Sequence, residues 1–508
     1  MNLLKTVKLS QFKNSIKLKT AVSLGVIGMA LLFVMSCNLF KPDSKAQPEK
    51  ILPKTFSLYS GEADHSQQWW KSFNDAELNA LVDAALSDSF SLKAAWARLN
   101  QARALSVQAG AGRYPDLTGT ATAFTGRQKI SANSSETNRI EEYGMGLVSS
   151  YELDLWGRVR SQHKSVMLQA VASREDLNTA AITLAAEVAN RWIAIIAQRM
   201  QKQLLTEQLR INETLLELVE LRFRKAMVSA LDVYQQKQVV QKKKAEIPLV
   251  EEQEQLLQHE LAVLLGRPPR ATLKINRIKL PKPSPLPPTG LPADLLSARP
   301  DIRAAWSRLN ASDWQIAAAR ANRMPALSLT AQARYVGGDI DILFDQWLMS
   351  LAANLTAPIL DGGRRAAEVD RTRAVADENL ALYYNKVLTA IKEVEDALVS
   401  EAKKKEHLEG LQKATATAGL ALEEAEIRYS NGITDYLPVL TQLTIVQGLE
   451  RDLIQRQAGI LNARIQLYRA IGGTWTEDLK PTLAGDKKPD LAGNKKNDAG
   501  QSDKLPED

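Results

Sequence analysis

The chain has 508 residues, with 65 Lys and Arg, 58 Asp and Glu, four His and a single Cys. One cysteine excludes an internal disulfide and a cysteine-based metal cluster, and the four histidines lack metal-ligand spacing. The net charge of +7 falls to +2 when the five lysines of residues 1–20 are set aside. No basic patch remains that indicates nucleic acid as a partner.

The N-terminus has the layout of a bacterial signal peptide. Residues 1–20 are basic and residues 21–36 are uncharged, and this apolar run is shorter than the roughly 20 residues of a membrane-spanning helix. The run ends in Ser36-Cys37, which resembles a lipobox, where a small residue precedes an acylated cysteine. We predict a lipoprotein signal peptide over 1–36; an uncleaved anchor helix is the alternative.

Cys37 is expected to carry covalent lipid, and no other cofactor is indicated. Each buried CH₂ of an acyl chain contributes about 0.8 kcal/mol of membrane affinity, so a multiply acylated terminus anchors firmly. The next residue is Asn38 rather than the Asp that retains enterobacterial lipoproteins at the inner membrane. Delivery to the outer membrane is therefore expected; a buried cysteine without lipid is the alternative.

The rest of the chain is an internal duplication. Ala95–Asn100 (AWARLN) recurs as Ala305–Asn310 (AWSRLN) at an offset of 210, and Gly157-Arg158 recurs as Gly363-Arg364 at an offset of 206. Such consistent offsets indicate two copies of one unit. The predicted segments are an extended, equatorial N-terminal segment (37–74), a first repeat (75–279), a Pro-rich linker (280–292), a second repeat (293–480) and a disordered tail (481–508).

Both repeats contain the same predicted elements in the same order. These are a helix (75–112 and 293–323), a β-hairpin (117–154 and 327–358), a long helix (158–226 and 364–431) and a return helix (231–265 and 437–470). The long helix of the first repeat has no Pro or Gly in 69 residues. At 1.5 Å per residue it would be on the order of 100 Å long, enough to cross the periplasm.

The hairpin strands alternate with a period of two. Residues 327–335 place Leu, Ala and Tyr on one face and Ser, Thr, Gln and Arg on the other. Their length of about ten residues matches a tilted membrane-spanning strand, with a soluble half-buried hairpin as the alternative. Four strands cannot close a barrel, and open edges in lipid are costly, so several chains would share one. Two, three or four copies would give 8, 12 or 16 strands, and the residues alone leave this choice open.

Five segments at these positions resemble the outer-membrane efflux protein family, the TolC-like channels. They are Trp69–Phe73 (WWKSF), Tyr151–Arg158 (YELDLWGR), Leu265–Pro269 (LGRPP), Ser297–Arg303 (SARPDIR) and Ala357–Arg364 (APILDGGR). The resemblance covers about residues 65–475, and with the lipobox it is to the NodT-like lipoprotein branch that serves RND-type pumps. It implies an α+β membrane protein whose duplicated unit supplies four strands of a trimeric 12-stranded β-barrel, with a long α-helical periplasmic barrel and a mixed equatorial region.

The function implied by this resemblance is a passive conduit of a tripartite efflux system, not an enzyme. A homotrimer in outer-membrane lipid would accept small molecules and drugs from a periplasmic adaptor and an inner-membrane RND-type pump. Type I protein secretion and metal-ion efflux are alternatives with the same fold. A structural envelope lipoprotein is an alternative of another class, which the amphipathic strand pairs oppose.

The resemblance also places the functional residues at the two helix-to-helix turns and at the strand–helix junctions. Leu437 is expected to form an apolar gate ring that opposes ion passage by dewetting, with ordinary helix packing as the alternative. The implied residues are, at the gate, Arg428, Tyr429, Leu437 and Thr441; at the adaptor-contacting tips, Arg222, Ala226, Met227, Ser229, Asn431, Gly432, Ile433 and Asp435; and at the junctions, Gly157, Arg158, Gly362, Gly363 and Arg364. No catalytic or metal-binding residue is expected.

Two positions depart from the family pattern. Thr441 stands where relatives often carry an aspartate, which weakens the case for a cation-attracting ring. Ala226 replaces the glycine of the first turn, and because alanine disfavours positive φ we expect this turn to differ in shape from the turn at Gly432.

Charged side chains near the turns and junctions have two interpretations. Arg222 and Arg428 either hold the tips closed through inter-helix ion pairs, with Asp232 or Asp435 as partners, or they are solvated. Exposed pairs contribute only about 0–1 kcal/mol, which favours solvation for Arg222. At the junction, Glu152 and Asp154 are expected to satisfy backbone groups or to pair with Arg158.

Overall fold

The computed structural model describes residues 52–58, 68–129, 138–283 and 285–479. Cys37, the predicted signal peptide and the predicted tail (481–508) lie outside these residues. The elements in chain order are α1 (Ala76–Asp88), α2 (Phe90–Ala111), β1 (Asp116–Gln128), β2 (Asn138–Leu153), α3 (Arg158–Arg224), α4 (Ala230–Leu264), α5 (Leu295–Ala298), α6 (Pro300–Ala321), β3 (Ala326–Gly337), β4 (Trp347–Thr356), α7 (Arg364–Ser430) and α8 (Leu437–Ile471).

The two halves of the chain have matched elements. Helices α3 and α7 are both 67 residues long, α4 and α8 are both 35, and α2 and α6 are both 22. The long helices begin at the predicted residues and end one or two residues earlier than predicted. Equal lengths in corresponding elements agree with the duplication read from the sequence.

The first helix of each repeat was predicted as continuous, and this is wrong in both. The chain breaks at Ser89 between α1 and α2, and at Arg299 between α5 and α6. Arg299 is extended (φ −93°, ψ 117°), as expected for a residue before proline, because the Pro300 ring disfavours the helical conformation of the residue before it.

A glycine at the end of each return helix packs against these breaks. A Cβ on Gly266 would lie 2.5 Å from the Asp88 carbonyl oxygen, and one on Gly472 would lie 2.8 Å from the Ala298 carbonyl oxygen. Both glycines also have positive φ, so a side chain is disfavoured twice. The end of α4 thus contacts the break between α1 and α2, and the end of α8 contacts the break between α5 and α6. Helices α2 and α4 form one stack beside the long helix α3, and α6 and α8 form a second stack beside α7.

The four strands form one antiparallel sheet in the order β1-β2-β3-β4. Its register pairs Met145 with Tyr335, and Tyr335 with Trp347, so the apolar side chains of neighbouring strands share a face. Thr120, Gly146 and Arg334 share the opposite, polar face. The predicted alternation therefore extends across the whole sheet, and one face is suited to lipid.

The main apolar core lies at the middle of the long helices. Trp69 stacks on Tyr468 at 5.2 Å between ring centroids, and Trp70 meets Trp475 edge-on at 4.8 Å. Within the segment predicted as extended (37–74), Trp69–Phe73 instead form a short 3-10 helix, because its three aromatic rings are buried in this core.

One stretch of α3 has the length and composition of a membrane-spanning helix, the only such stretch in the described part of the chain. Its mean hydropathy is 1.4, and 61% of it is buried inside the chain. Ile193, Ile195 and Ile196 of α3 are fully enclosed by the core. Burial of this kind accounts for the apolar composition of α3 as a core helix.

A buried ion pair joins the two helices of the second repeat. Arg464 of α8 donates two hydrogen bonds to Glu401 of α7, at 2.8 and 2.6 Å, and both side chains are almost fully enclosed. Arg464 also donates to the carbonyl of Pro285 in the Pro-rich linker, at 2.8 Å. This pair therefore ties the linker to the α7–α8 packing.

The two helix-to-helix turns have the same backbone geometry, contrary to expectation. Ala226 has φ +61° and Gly432 has φ +70°. The backbone N–H of Met227 donates to Arg222 O, and that of Ile433 donates to Arg428 O, both at 2.9 Å. Each helix thus ends in a Schellman motif with a left-handed residue after the cap. The expectation that alanine changes the turn is wrong; Ala226 adopts the strained conformation instead.

Ala226→Gly should therefore stabilise the protein. Relief of the left-handed strain stabilises the folded state by about 1–2 kcal/mol. Glycine also raises the conformational entropy of the unfolded chain, which offsets part of this, so the free energy of unfolding should rise by about 1 kcal/mol. The measurement is the unfolding midpoint in detergent, followed by far-UV circular dichroism. Gly432→Ala is the matched control. Nothing lies within 4 Å of its added Cβ, so only the positive φ should destabilise this variant, and its free energy of unfolding should fall by a similar amount. A loss of stability in Ala226→Gly would contradict the strain at this turn.

Candidate functional site: tips and junctions

Two carboxylates fix the strand-to-helix junction of the first repeat. Asp154 accepts hydrogen bonds from the backbone N–H groups of Val159 (3.0 Å) and Arg160 (2.8 Å), so it caps the first turn of α3. Glu152 accepts two hydrogen bonds from the Arg158 guanidinium, at 2.9 and 2.6 Å. The predicted roles of both carboxylates are therefore confirmed.

The second junction repeats this design with different residues. Gly362 and Gly363 both have positive φ, as Gly157 does at the first junction, so the bend uses a conformation that favours glycine. Asp361 accepts from the backbone N–H of Gly363 (3.2 Å) and of Arg365 (3.3 Å). The predicted junction residue Arg364 begins α7 and is exposed.

A tryptophan joins the two hairpins at this level. The indole N–H of Trp156 donates to the carbonyl of Pro325, just before β3, at 2.7 Å. The hydrogen bond spans 169 positions of the chain and links the end of β2 to the start of β3. The two hairpins therefore enter the sheet at a fixed relative height.

At the other end of the long helices, the two turns pack against each other. The Arg222 guanidinium lies over the Tyr429 ring, 4.4 Å from its centroid, and Tyr429 lies 5.4 Å from the Tyr436 ring. A small apolar cluster that includes Val219 and Val439 lies beneath them. A cation over an aromatic face at such a distance is attractive, so the tips are joined by Arg222 and Tyr429.

Among the described residues, neither Arg222 nor Arg428 forms the predicted ion pair with Asp232 or Asp435. Arg428 pairs with Glu424 of its own helix at 2.7 Å, and both side chains are largely exposed. Asp232 instead forms a capping box with Ser229, whose backbone N–H it accepts at 2.9 Å. Arg222 uses the ring of Tyr429 because a flat guanidinium stacks well on an aromatic face.

A buried chain of polar side chains extends from the tips into the helices. The Tyr436 hydroxyl donates to Gln236 at 2.8 Å, and Gln236 donates to the Asn212 carbonyl at 2.8 Å. Asn212 and Gln447 are joined at 3.2 Å. Asn212 belongs to α3, Gln236 to α4 and Gln447 to α8, and Tyr436 directly precedes α8. These hydrogen bonds therefore link the two repeats.

Lys243 lies at the far end of this chain. It donates to the Gln208 side chain at 2.9 Å, and Gln208 donates to the carbonyl of Gln447 at 3.0 Å. Burial, together with the nearby charge of Arg451, lowers the pKa of Lys243 to about 8. The seam between the repeats thus holds an amine that titrates near neutral pH.

Sequence reasoning missed this polar seam. Apolar residues recur at heptad spacing in α3 at Leu204, Ile211 and Leu218, a pattern that indicates helix packing, yet Ile211 is 37% exposed and Leu218 is 42% exposed. The buried series lies one residue further along, at 205, 212 and 219, and contains Asn212. The heptad series that contains Asn212 could have indicated the polar seam, because a polar residue at a buried heptad position specifies the register of helix packing.

The predicted gate residues lie at the start of α8. Leu437 is its first residue and is 54% exposed in the single chain. Thr441 donates its hydroxyl to the carbonyl of Leu437 at 2.8 Å, so this side chain is bonded to its own helix. Around them, the turns expose Met227 and Ile433, while Asn431 and Asp435 supply polar surface. The tips therefore combine apolar and polar surface.

Comparison with known proteins covers most of the chain, including both repeats. The family model described as outer membrane efflux protein matches residues 81–267 and 291–473. The pyoverdine export outer membrane protein OpmQ of Pseudomonas aeruginosa is 34% identical over 83% of this chain and 90% of its own length. The toluene efflux pump outer membrane protein TtgI of Pseudomonas putida is 31% identical over 88% of this chain and 97% of its own.

The fold is also similar to that of a solved outer-membrane channel. The outer-membrane channel OprN has a TM-score of 0.77 to this fold at 28% identity, over 86% of this chain and 97% of its own. The matched regions include both hairpins, both long helices and both tips. The chain therefore belongs to the outer membrane efflux protein family, and it is the outer-membrane channel component of an efflux system.

Proposed function

We propose that three copies of this chain close a 12-stranded barrel and form a passive conduit for small molecules. The observation that carries this proposal is the sheet, whose outer strands β1 and β4 each have one edge without a partner strand in the described part of the chain. An unpaired backbone group in hydrocarbon costs several kcal/mol, so the edges of a lipid-exposed sheet need partners. Pairing β4 of one copy with β1 of the next satisfies both edges, and the resemblance to the family favours three copies.

The helices support the same assembly. Helix α3 packs between the α2–α4 stack and the α6–α8 stack, and α7 packs on the outer side of the second stack. The helices therefore form one layer, in which the α2–α4 stack and α7 are the two flanks. Apolar side chains are exposed along these flanks, including Leu249 on α4 and Leu382 and Leu388 on α7. Contacts between copies would bury these side chains.

The proposed partners are a periplasmic adaptor at the tips, an inner-membrane RND-type pump behind it, and outer-membrane lipid around the barrel. The exposed apolar side chains Met227 and Ile433 suit a protein partner at the tips. The names of OpmQ and TtgI mention pyoverdine and toluene, which supports small organic molecules as cargo. The charged groups at the junctions act as caps and ion pairs, so we propose a channel without catalysis.

The first test of this proposal is the oligomeric mass of the detergent-solubilised protein, with planar-bilayer conductance recorded on the same sample. We expect a mass three times that of one chain and discrete single-channel steps. A monomer that never conducts would remove the shared barrel and revive the structural envelope lipoprotein.

Lipid attachment at Cys37 is tested by metabolic labelling with radioactive palmitate. We expect label on the parent chain and none on Cys37→Ser, because this is the only cysteine in the sequence. Cys37→Ala serves as a second variant without a nucleophile. Label that persists in both variants would show that the lipid is attached elsewhere.

The gate is tested with Leu437→Ala. Removing three apolar side chains from a narrow ring would favour water and ions, so single-channel conductance should rise. Leu437→Met is the matched control, because it keeps an apolar side chain of similar volume at the same position and should leave the conductance close to that of the parent protein. Equal conductance in Leu437→Ala and the parent protein would place the constriction at other residues.

A further inference from the structure

The polar face of the sheet carries one charged residue in its middle. Along this face the register aligns Thr120 with Gly146, Gly146 with Arg334, and Arg334 with Leu348. The neighbouring rows contain Thr118, Val148, Gln332 and Ser350 on one side, and Thr122, Gly144 and Val336 on the other. Arg334 is therefore surrounded by neutral residues on its own face.

The backbone around Arg334 leaves its side chain uncovered. A Cβ added to Gly146 would lie 2.6 Å from the Cβ of Arg334, so β2 has no room for a side chain at this position. Gly144 is the next residue of β2 on the same face. With no side chain from β2 beside it, Arg334 is exposed on the polar face.

Among the described residues Arg334 forms no ion pair, although Asp339, Asp341 and Asp345 lie in the turn between β3 and β4. The nearest acidic residues on the same face of β1 and β2 are Asp116 and Glu142, each four positions from the row that contains Arg334. At about 3.3 Å per residue, four positions correspond to roughly 13 Å along a strand. These two carboxylates are therefore not direct neighbours of Arg334 in the register, and neither forms an ion pair with it in the part of the chain that the structure describes.

We propose that Arg334 forms a ring of three positive charges inside the barrel, which favours anionic small molecules over cations. This inference rests on the proposed trimer, which places the apolar face against lipid and the polar face around the lumen. In the first repeat the corresponding residue at the offset of 210 is Phe124, so each chain contributes one such arginine. Rings of Arg or Lys make a pore selective for anions, and the substrate class is therefore small organic anions such as carboxylates.

The test places a reporter thiol beside the ring. Ser350→Cys introduces a cysteine on the polar face, diagonal to Arg334 in the β3–β4 register and so about 7–8 Å away. Its reaction rates with membrane-impermeant methanethiosulfonates, one anionic and one cationic, report the local potential. The parent chain, whose only cysteine is Cys37, gives the background.

We expect the anionic reagent to be favoured when Arg334 is present. Adding Arg334→Gln should lower the ratio of anionic to cationic rates about threefold at 0.1 M salt, and the difference should grow as salt is lowered. Arg334→Lys should keep the ratio because it keeps the charge. Arg127→Gln, which removes a charge of the opposite face of β1, is the matched control and should leave the ratio unchanged.

The outcomes separate this inference from the proposed function. If both reagents react and Arg334→Gln leaves the ratio unchanged, the charge ring is overturned while the water-filled barrel stands. If Ser350→Cys in the assembled protein reacts with neither reagent, this face does not line an open lumen, and the barrel and the ring both fail. A ratio that falls in Arg334→Gln but not in Arg334→Lys supports the ring.

Discussion

Pairing of backbone groups in lipid is the constraint on which the rest of this structure depends. The sheet has an apolar face for hydrocarbon, yet its order β1-β2-β3-β4 leaves two open edges. Hydrocarbon offers no partner for N–H and C=O groups, so a chain with four strands meets this constraint by sharing a barrel. The helical layer has free flanks as well, and the exposed leucines of α7 on one of them are side chains that contacts between copies would bury.

The strands also determine where the helices begin. Asp154 and Asp361 cap the long helices directly after the strands, and left-handed glycines turn the chain between the two. At the breaks in the first helix of each repeat, Gly266 lets α4 contact the backbone at Asp88, and Gly472 lets α8 contact the backbone at Ala298. A side chain at either glycine would separate the stacked helices, so backbone contact sets their alignment with the long helix.

Duplication gives the two halves one backbone but different chemistry. The tips share a Schellman turn although one has Ala226 and the other Gly432, because the helix end needs a left-handed residue whichever side chain is present. The polar seam from Tyr436 to Lys243 joins the repeats without repeating in either. Likewise Arg334 has Phe124 as its counterpart. The two repeats therefore share a backbone and differ in the side chains that it carries.

The sequence by itself determined the duplication, the hairpins, the long helices and the junction caps, because period-two and heptad patterns, glycines and offsets are local properties of the chain. Tertiary structure alone decided the break at Ser89, the strained φ of Ala226 and the burial of Asn212 in place of Ile211. Each of these depends on which surface another helix covers or which carbonyl a turn must satisfy, and such long-range choices leave no mark on the periodicity of a single segment.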